Sequence, residues 1–348
     1  MKKLISLWIV LLILFPCEVL PANYTGKSIR AKLASEEING DFMTVWAKKF
    51  SKHMKQWSGG KIHIDVYPYG TLGNTGDINE LAQMGIVQFV FSDHAWISSF
   101  VPQAQALSLN YIFPPEKVPE VLDWMVRNGE FMPLLEKAFR QKGLVPLSIM
   151  YEGWQWVSAK KQIRSLNEMQ GVKLRLMSSK MLVENYKAYG ASPTPMTYGE
   201  VYSGLQMGLI DAQVNPLFAA HSMKFYEVQD FFIQLKNEPF ISIPTVNKKY
   251  FDRLPTEVQK EMRQFWVNAI IPAGHWIDQR NETDMKKMKS AKPSLKFYVL
   301  NNKNISKFKA QAKTVYPVFI EIGGADAQKI IDALINDITN AKKTLKIQ

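Results

Sequence analysis

The sequence is nearly devoid of cysteine, because Cys17 is the only one among 348 residues. It lies in an N-terminal segment that we expect to be removed from the exported chain. The chain that follows then has no thiol. This excludes disulfide bridges, thiolate metal sites and cysteine catalysis.

Histidine is also scarce, and no motif gathers it. The chain has no H-x-x-x-H pair, the spacing that places two metal ligands on one face of a helix. It has no G-x-S-x-G nucleophile elbow either, and Gly70, Gly73 and Gly76 form neither a dinucleotide fingerprint nor a Walker loop. We therefore predict no metal site and no cofactor, although spacing does not test a Ser/His/Asp triad drawn from distant segments. The five dispersed histidines are His53, His63, His94, His221 and His275.

Long apolar runs are confined to the N-terminus. A basic head at Lys2 and Lys3, an apolar stretch over residues 4–15 and a cleavage site at 20–22 predict a signal peptide over residues 1–22. The apolar stretch is too short to span a membrane, and no later segment is apolar enough. We expect an exported, soluble periplasmic protein with room for two domains.

A lipoprotein signal ending at Cys17 is the alternative for this segment. The residues before the cysteine are Leu14, Phe15 and Pro16, and the last two are bulky where small residues are required. Cleavage after the signal peptide is therefore favoured.

Acidic residues are outnumbered, with 31 Asp and Glu against 43 Lys and Arg and a net charge of +12. Such an excess attracts anionic solutes, nucleic acid or anionic membranes. The late lysines are not interleaved with the aromatic residues that a nucleic-acid platform needs, so a solvated helical surface is favoured and nucleic acid is not predicted as a partner. The surplus is concentrated at Lys286, Lys287, Lys289, Lys292, Lys296, Lys303, Lys307, Lys309, Lys313, Lys342, Lys343 and Lys346.

The first part of the chain alternates strand and helix patterns. Strands are predicted at 29–33 and 62–66, separated by a helix whose apolar stripe runs from Phe42 to Trp57. Asp77 with Glu80 is expected to cap the next helix, which Gly85 ends before a strand at 86–91. This strand–helix–strand order predicts a parallel sheet covered by helices.

The same alternation returns later, with no floppy linker between the parts. Further strands are predicted at 144–151, 172–176, 209–214 and 295–300, and helices at 181–189, 198–207 and over most of the region after Arg253. Two domains without a linker indicate that the chain crosses between them more than once.

Arg175 is the most informative charged residue. In the stretch Gly171 to Leu176, alternation places Val172, Leu174 and Leu176 on one face of a strand and Lys173 with Arg175 on the other. A guanidinium held on a strand presents two parallel N–H donors to the two oxygens of a carboxylate.

The chain resembles the solute-binding proteins of tripartite ATP-independent periplasmic (TRAP) transporters, the DctP family, over nearly its whole length after the signal peptide. The most specific part of the resemblance is a long run that begins near Thr194. The matching residues are Gly60-Lys61-Ile62, Tyr67-Pro68, Leu72-Gly73, Phe89 to Pro102, Thr194-Pro195-Met196, Glu200-Val201-Tyr202, Leu205-Gln206, Asp211, Gln213 and Asn215-Pro216-Leu217.

The resemblance implies a periplasmic-binding-protein-like α/β fold. Two α/β lobes, linked by crossing strands and a long helix, close over a ligand in the cleft between them. Residues 23–152 and 241–280 are expected in lobe I, and residues 153–240 and 281–348 in lobe II. The protein would capture a small organic anion and deliver it to the TRAP permease, whose small and large subunits lie in the membrane. No catalysis is implied.

The resemblance also implies a set of ligand-binding residues. Arg175 matches the arginine that grips the ligand carboxylate, and Asn215 matches the asparagine that hydrogen-bonds it. Tyr198 occupies a pocket-lining aromatic position, Asp93 an acidic position on the opposite lobe, and Ser178 a polar lining position.

One departure from the family bears on the ligand. Many members carry a second arginine where this chain has Gln155, after Gly153 and Trp154. With one fewer fixed charge, a monocarboxylate or a sulfonate, aromatic or aliphatic, is favoured over a dicarboxylate or sialic acid. Trp154 and Trp156 are candidates for stacking an aromatic or cationic group, and packing in the core is the alternative.

Three other functions stay open at this point. An exported enzyme would need an acid pair of perturbed pKa in its cleft, and Asp93 with Glu36 or Glu37 is one candidate. A basic adhesin or membrane-surface binder would lose its binding steeply with salt. A protein that presents its ligand to a sensor would use the same pocket as a transport protein.

Overall fold

The computed structural model describes residues 24–347. The predicted signal peptide, with Cys17, lies outside the described residues. The strands are β1 (Ile29–Ser35), β2 (Ile62–Tyr67), β3 (Phe89–Asp93), β4 (Leu144–Pro146), β5 (Met150–Trp154), β6 (Trp156–Ala159), β7 (Lys173–Leu176), β8 (Ser192–Pro195), β9 (Ala212–Asn215), β10 (Phe231–Gln234), β11 (Pro239–Asn247) and β12 (Lys296–Val299).

Helices cover both sheets. The α-helices are α1 (Phe42–Trp57), α2 (Thr75–Met84), α3 (His94–Ile97), α4 (Val118–Asn128), α5 (Phe131–Gln141), α6 (Leu166–Met169), α7 (Lys180–Ala188), α8 (Val201–Gln206), α9 (Leu217–Ser222), α10 (Phe225–Val228), α11 (Lys248–Phe251), α12 (Thr256–Ala291), α13 (Asn302–Lys313), α14 (Tyr316–Gly323) and α15 (Ala327–Leu345). Short 3-10 helices lie at Pro102–Ser108, Tyr198–Glu200 and Gly324–Asp326.

The first sheet has the order β2-β1-β3-β11-β4, and β5 also pairs with β11. β1 runs parallel to β2 and β3, whereas β11 is antiparallel to β3. The predicted stripe on α1 faces this sheet, where the ring of Phe50 lies 5.7 Å from that of Phe89 and 5.2 Å from that of Trp266 on α12. The predicted strand–helix–strand unit is confirmed.

Two local predictions in this unit were wrong. Asn74, rather than Asp77, is the N-cap of α2, and Asp77 returns the bond as the reciprocal member of a capping box. β3 begins at Phe89 rather than at residue 86, because the amides of Ile86 and Val87 still bond back to the carbonyl of Leu81 at the end of α2. The chain becomes extended only after that turn.

The second sheet has the order β12-β10-β6-β9-β7-β8. β7 is parallel to β8 and β9, whereas β6 is antiparallel to β9. Its core is aromatic at one end, where the ring of Phe297 stacks on that of Phe232 at 5.1 Å and meets that of Trp156 at 6.1 Å.

Within residues 24–347, the chain crosses between the sheets twice through strands. β5 pairs in the first sheet and β6 in the second, with only Gln155 between them. The return passes from β10 in the second sheet to β11 in the first. The 36-residue helix α12 then contacts β5 of the first sheet and α9, which follows a strand of the second. The two-lobed α/β fold with crossing strands and a long helix is confirmed.

The C-terminal helix lies on a different side from the one expected. α15 packs on α4 and α5, which belong to the first-sheet side. The Asp337 carboxylate accepts hydrogen bonds from the amides of Glu130 and Phe131 at the start of α5, and it therefore caps that helix. This placement differs from the expected assignment of residues 281–348 to lobe II. The other lobe boundaries stay predictions.

Within residues 24–347, none of the helices combines the length and apolar character that crossing a membrane requires.

Candidate ligand-binding cleft

A buried cavity of about 20 Å³ lies between the two sheets. It is placed where β3, β7 and β9 end, which is the edge at which open α/β sheets bind their ligands. Its lining mixes charged, amide and aromatic side chains. The lining residues are Glu36, Glu37, Met43, Asp93, Trp96, Arg175, Met177, Tyr198, Asn215, Phe218, Ala219 and Phe240.

Arg175 supplies the positive charge of this cavity. It lies in β7 and its side chain is 1% exposed. Its Nε donates to the carbonyl of Met196 at 3.0 Å, and Nη1 lies 3.6 Å from Sδ of Met177. Nη2 is buried without a partner among the described residues. Burial lowers the pKa of Arg175 to about 10, so the guanidinium is still charged at neutral pH and has N–H donors free for an anion.

Asn215 and Tyr198 lie on the same wall. The Asn215 amide donates to Oε1 of Gln213 at 2.6 Å, and Gln213 donates in turn to Oγ of Ser158 at 2.8 Å. This chain of bonds orients the second N–H of Asn215, because a carboxamide carries two donors. The Tyr198 hydroxyl is buried without a partner among the described residues. Both groups can donate to an anion held by Arg175.

The opposite wall is acidic and comes from the first sheet. Oε2 of Glu36 accepts from Oγ of Ser92 at 2.6 Å and from the amide of Asp93 at 2.8 Å. Burial, and then the charge of Asp93, raises the pKa of Glu36 well above its usual value. One oxygen of Asp93 caps α3 through the amide of Trp96, and the other, Oδ2, is buried without a partner among residues 24–347. Burial also raises the pKa of Asp93.

Glu37 extends the acidic wall. Its Oε2 accepts from the amide of Met43 at 2.6 Å. Burial, and then the charges of Glu152 and Asp41, raises its pKa well above the usual range. The neighbouring Glu152 is also fully buried, and burial raises its pKa in the same direction. The wall therefore concentrates carboxyl groups that ionise only at a cost, which a bound cation would offset.

Four of the seven predicted ligand residues are brought together in this cavity, namely Asp93, Arg175, Tyr198 and Asn215. Asp93 and Arg175 face it from different sheets, as the resemblance implied. Among the residues that the structure describes, none forms a group of three or more side chains suited to hold a metal ion.

The other three predicted residues do not line this cavity. Trp154 is half-buried at the end of β5, and Ser178 is exposed just before α7, whose cap is Ser179. Gln155 is 2% exposed, and both polar atoms of its side chain lack a partner among the described residues. Trp156 packs against Phe297 in the second sheet. Ligand contacts of Trp154, Gln155 and Ser178 stay predictions.

Sequence reasoning missed most of the apolar and acidic lining. The sequence indicates Glu36 and Glu37 only as partners of Asp93 in an enzyme, and it assigns no ligand contact to Met43, Trp96 or Phe240. The position of Glu36-Glu37 directly after β1 was a usable signal, because loops at the carboxyl ends of parallel strands form the binding edge.

A larger surface groove of about 780 Å³ lies between α5 and α12. Its charged groups already have partners, since Glu136 contacts both Arg140 at 2.7 Å and Arg263 at 2.8 Å, and Lys137 contacts Asp326. It therefore lacks the buried unpaired groups that mark the smaller cavity.

Comparisons with known proteins agree with this architecture. The model of the bacterial extracellular solute-binding protein family 7 (DctP) matches residues 34–322. The chain is 33% identical over 327 residues to the ectoine/5-hydroxyectoine-binding periplasmic protein UehA of Ruegeria pomeroyi, which covers 92% of this chain and 93% of that protein. It is 32% identical over 307 residues to the ectoine-binding periplasmic protein TeaA of Halomonas elongata, covering 88% and 89%.

A solved structure agrees as well. The periplasmic ectoine-binding protein from the TeaABC TRAP transporter of Halomonas elongata matches with a TM-score of 0.84 and 31% identity, over 90% of this chain and 100% of that one.

Proposed function

This chain belongs to the bacterial extracellular solute-binding proteins of family 7, the DctP family of TRAP transporters, and we propose that it captures a small zwitterionic organic acid and delivers it to a membrane permease. Proteins of this family bind small ligands and work with membrane permease components. We place the protein in the periplasm, after removal of residues 1–22. Its role is to bind and release its ligand without transforming it.

The observation that carries this proposal is that the two walls of the cavity carry groups of opposite charge. Arg175 reaches the cavity from the second sheet, and Glu36 and Asp93 reach it from the first. The ion pairs found among residues 24–347 do not include any of these three. Buried charges require partners, and a ligand with both signs of charge supplies them to both walls.

The anionic end of the ligand is assigned to the Arg175 wall. A carboxylate accepts two N–H bonds from a guanidinium, and Asn215 and Tyr198 add donors from the same side. Because one arginine is present and Gln155 stands where many members have a second, a single carboxylate fits better than two.

The cationic end is assigned to the Glu36 wall. Ectoine, which the relatives UehA and TeaA bind, is a small ring with one carboxylate and one delocalised amidinium. Its charge pattern matches the two walls. Trp96 and Phe218 in the lining supply aromatic surface, which is favourable for a flat cation. We therefore propose ectoine or a related cyclic zwitterion as the ligand.

The size of the cavity supports capture by closure. A space of about 20 Å³ holds roughly one water molecule. A ligand as large as ectoine therefore enters only when the walls move apart. A ligand that contacts both walls favours the closed form by its additional contacts there. Release would follow on the permease, which we propose as the partner.

A thermal-shift screen tests the ligand class. The protein is unfolded and refolded to remove bound solute, then mixed with carboxylic, keto, amino, sugar and sulfonic acids, with ectoine, and with neutral and cationic controls. Ligand at ~100 times its dissociation constant stabilises the native state by ~2.7 kcal/mol. We expect ectoine or a related zwitterion to raise the melting temperature and simple anions to act weakly.

Two outcomes would contradict the proposal. If only dicarboxylates or sugar acids stabilise the protein, a zwitterion is excluded as its ligand. Chromatography over several hours would detect any conversion of the bound ligand to a product. Such conversion would favour the enzyme interpretation in which Glu36 and Asp93 act as an acid pair.

A further inference from the structure

Outside the ligand cavity, a direct side-chain bond joins the two lobes. Asp41 directly precedes α1 on the first-sheet side, and Ser222 ends α9, which follows β9 of the second sheet. The Ser222 hydroxyl donates to Oδ1 of Asp41 at 2.6 Å. Asp41 is buried and Ser222 is half-buried, so water has only partial access to this bond.

Arg280 on the long helix α12 joins the same group. Its Nη1 donates to the carbonyl of Gly40 at 3.0 Å, and its Nη2 lies 3.4 Å from Oδ1 of Asp41. Its Nε pairs with Asp284 one turn further along. One carboxylate therefore ties together the loop after β1, the end of α9 and the long helix.

The next residue of α12 makes a second bridge. Oδ1 of Asn281 accepts from the amide of Phe218 at 2.8 Å, and its Nδ2 lies 3.3 Å from the carbonyl of Glu152 in β5. Phe218 lines the cavity and is the second residue of α9. Moving α9 away from the first sheet thus breaks the bond at its start and the bond at its end.

None of Asp41, Ser222 and Arg280 lines the cavity. They are close to it along the chain, however, because Met43 and Ala219 do line it, two and three residues from Asp41 and Ser222. We propose that Asp41, Ser222 and Arg280 form a latch that holds the lobes closed and sets how long the ligand stays bound. This inference rests on the proposed binding function and adds residues that position the lobes without touching the ligand.

The latch acts on the closed state, whether or not ligand is bound. Ser222 reaches Asp41 only when the lobes are together, so the bond contributes to the closed state and not to the first encounter. A hydrogen bond to a charged group is stronger than one between neutral groups. Another hydrogen bond between the two sides, from the amide of Gly199 to the hydroxyl of Tyr69 at 3.1 Å, joins neutral groups and should matter less.

The first test is the kinetics of ectoine binding. Ser222→Ala and Asp41→Ala are each expected to speed dissociation about tenfold, with little change in the association rate. The double variant should release ectoine no faster than Asp41→Ala does, because both substitutions remove the same Ser222–Asp41 hydrogen bond. Ser222→Thr keeps the hydroxyl and should retain slow release, and the exposed Ser203→Ala is the matched control. If Asp41→Ala does not fold, Asp41→Asn replaces it.

The second test does not depend on the ligand. In the chain without residues 1–22, which has no cysteine of its own, Lys52→Cys on α1 and Gln206→Cys on α8 carry spin labels on the two lobes, and both sites are exposed. Distances are measured in the ligand-free protein and with ectoine. We expect Ser222→Ala and Asp41→Ala to shift the distribution towards longer distances in both samples, while Ser203→Ala does not.

The outcomes separate the latch from the ligand. If ectoine leaves the distances of the parent protein unchanged, the proposed ligand is wrong, and the ligand-free samples still test the latch. If the closed fraction of the ligand-free protein is the same in the parent and in both latch variants, the latch is wrong, whatever ectoine does. If the latch variants melt at a lower temperature but keep the parent's distances, these residues have only a structural role, and the latch is again wrong.

Discussion

Arg175 and Asp93 face one buried cavity from different sheets, and neither has an ion-pair partner among the described residues. Asp93 ends β3, where its carboxylate caps α3, and Arg175 lies in β7. Each side chain is positioned by its own lobe, yet each needs a counter-charge that the other lobe or a ligand must supply. A zwitterion bridging them would favour closure through both of its ends.

Arg175→Ala should abolish measurable binding. The change removes the guanidinium donors, and charge-assisted hydrogen bonds of this kind contribute ~1.5–3 kcal/mol each. Two lost bonds correspond to a loss of at least ~100-fold in affinity. Isothermal titration calorimetry with the best ligand of the thermal-shift screen checks this expectation.

Arg175→Lys is the matched control for charge. It keeps the positive charge but loses the planar fork, so affinity should fall strongly while circular dichroism and cooperative unfolding persist. Unchanged affinity in Arg175→Ala would show that Arg175 does not bind the ligand.

Glu36→Gln should discriminate between ligand types. The amide keeps an acceptor for Ser92 and for the amide of Asp93 but removes the negative charge. We expect at least tenfold weaker binding of a zwitterion and equal or tighter binding of a simple monocarboxylate, because repulsion from the acidic wall decreases. Equal losses for both ligands in calorimetry would contradict a role for Glu36 in binding a cation.

The stability of the ligand-free protein should fall as pH rises. The pKa values of Glu36, Glu37 and Glu152 are raised by burial, and that of Asp41 is raised to about 6. The native state then holds more protons than the unfolded state between the unfolded and folded pKa values, so the free energy of unfolding decreases through this window.

Two histidines also have shifted pKa values. Burial acts to lower the pKa of His94, but its hydrogen bond to Glu238 and the charges around it raise the pKa overall, which adds to the same trend. His221, whose pKa burial lowers, opposes it. Urea unfolding at about pH 5 and about pH 8 measures the sum, and greater stability at the higher pH would contradict the prediction.

Ligand affinity should change in the opposite direction. A cation binds the ionised carboxylates, so ectoine should stabilise the protein more at about pH 8 than at about pH 5. An affinity that is equal at both values would indicate that the acidic wall stays protonated in the complex.

Gln155→Met tests the buried residue between β5 and β6, which does not line the cavity. Both polar atoms of Gln155 are buried without partners among residues 24–347, so their removal should raise the unfolding free energy of the ligand-free protein by ~1 kcal/mol. If Gln155 contacts the ligand when the lobes open and close, affinity should fall about fivefold. A rise in the unfolding free energy with unchanged ligand affinity would show that Gln155 does not contact the ligand.

Gly153→Ala should disturb the crossing strand. Gly153 has a φ of +104°, and a Cβ there would lie 2.3 Å from Nδ2 of Asn281. The substitution should lower the unfolding free energy by ~1–3 kcal/mol and loosen the contact between β5 and α12. Chemical denaturation compares it with Gly171→Ala, which has a φ of +70° but open space around it. Equal effects of both substitutions would assign the cost to backbone strain alone.

Local periodicity predicted much of the fold. The stripe from Phe42 to Trp57 and the alternation at 62–66 are set by side chains that face one core, and the structure has both elements. The start of β3 and the place of α15 depend on contacts between distant segments, such as Asp337 with Phe131. Such contacts leave no periodic signal in the sequence.

The candidate site was predictable in part for the same reason. Arg175 matches a single position of a known family and Asn215 belongs to the run that begins near Thr194, and both line the cavity. Glu36 is buried because Ser92 and Asp93, far along the chain, supply its hydrogen bonds. Reading the residues around Glu36 alone does not reveal that environment.

Calorimetry of the refolded protein with three matched compounds tests the central claim most directly. Ectoine carries both charges, 2-methyl-1,4,5,6-tetrahydropyrimidine has the cation without the carboxylate, and cyclohexanecarboxylate has the carboxylate without the cation. We predict binding of ectoine and at least ~100-fold weaker binding of either half, because each loses the hydrogen bonds of one wall. Cyclohexanecarboxylate binding as tightly as ectoine would contradict the account.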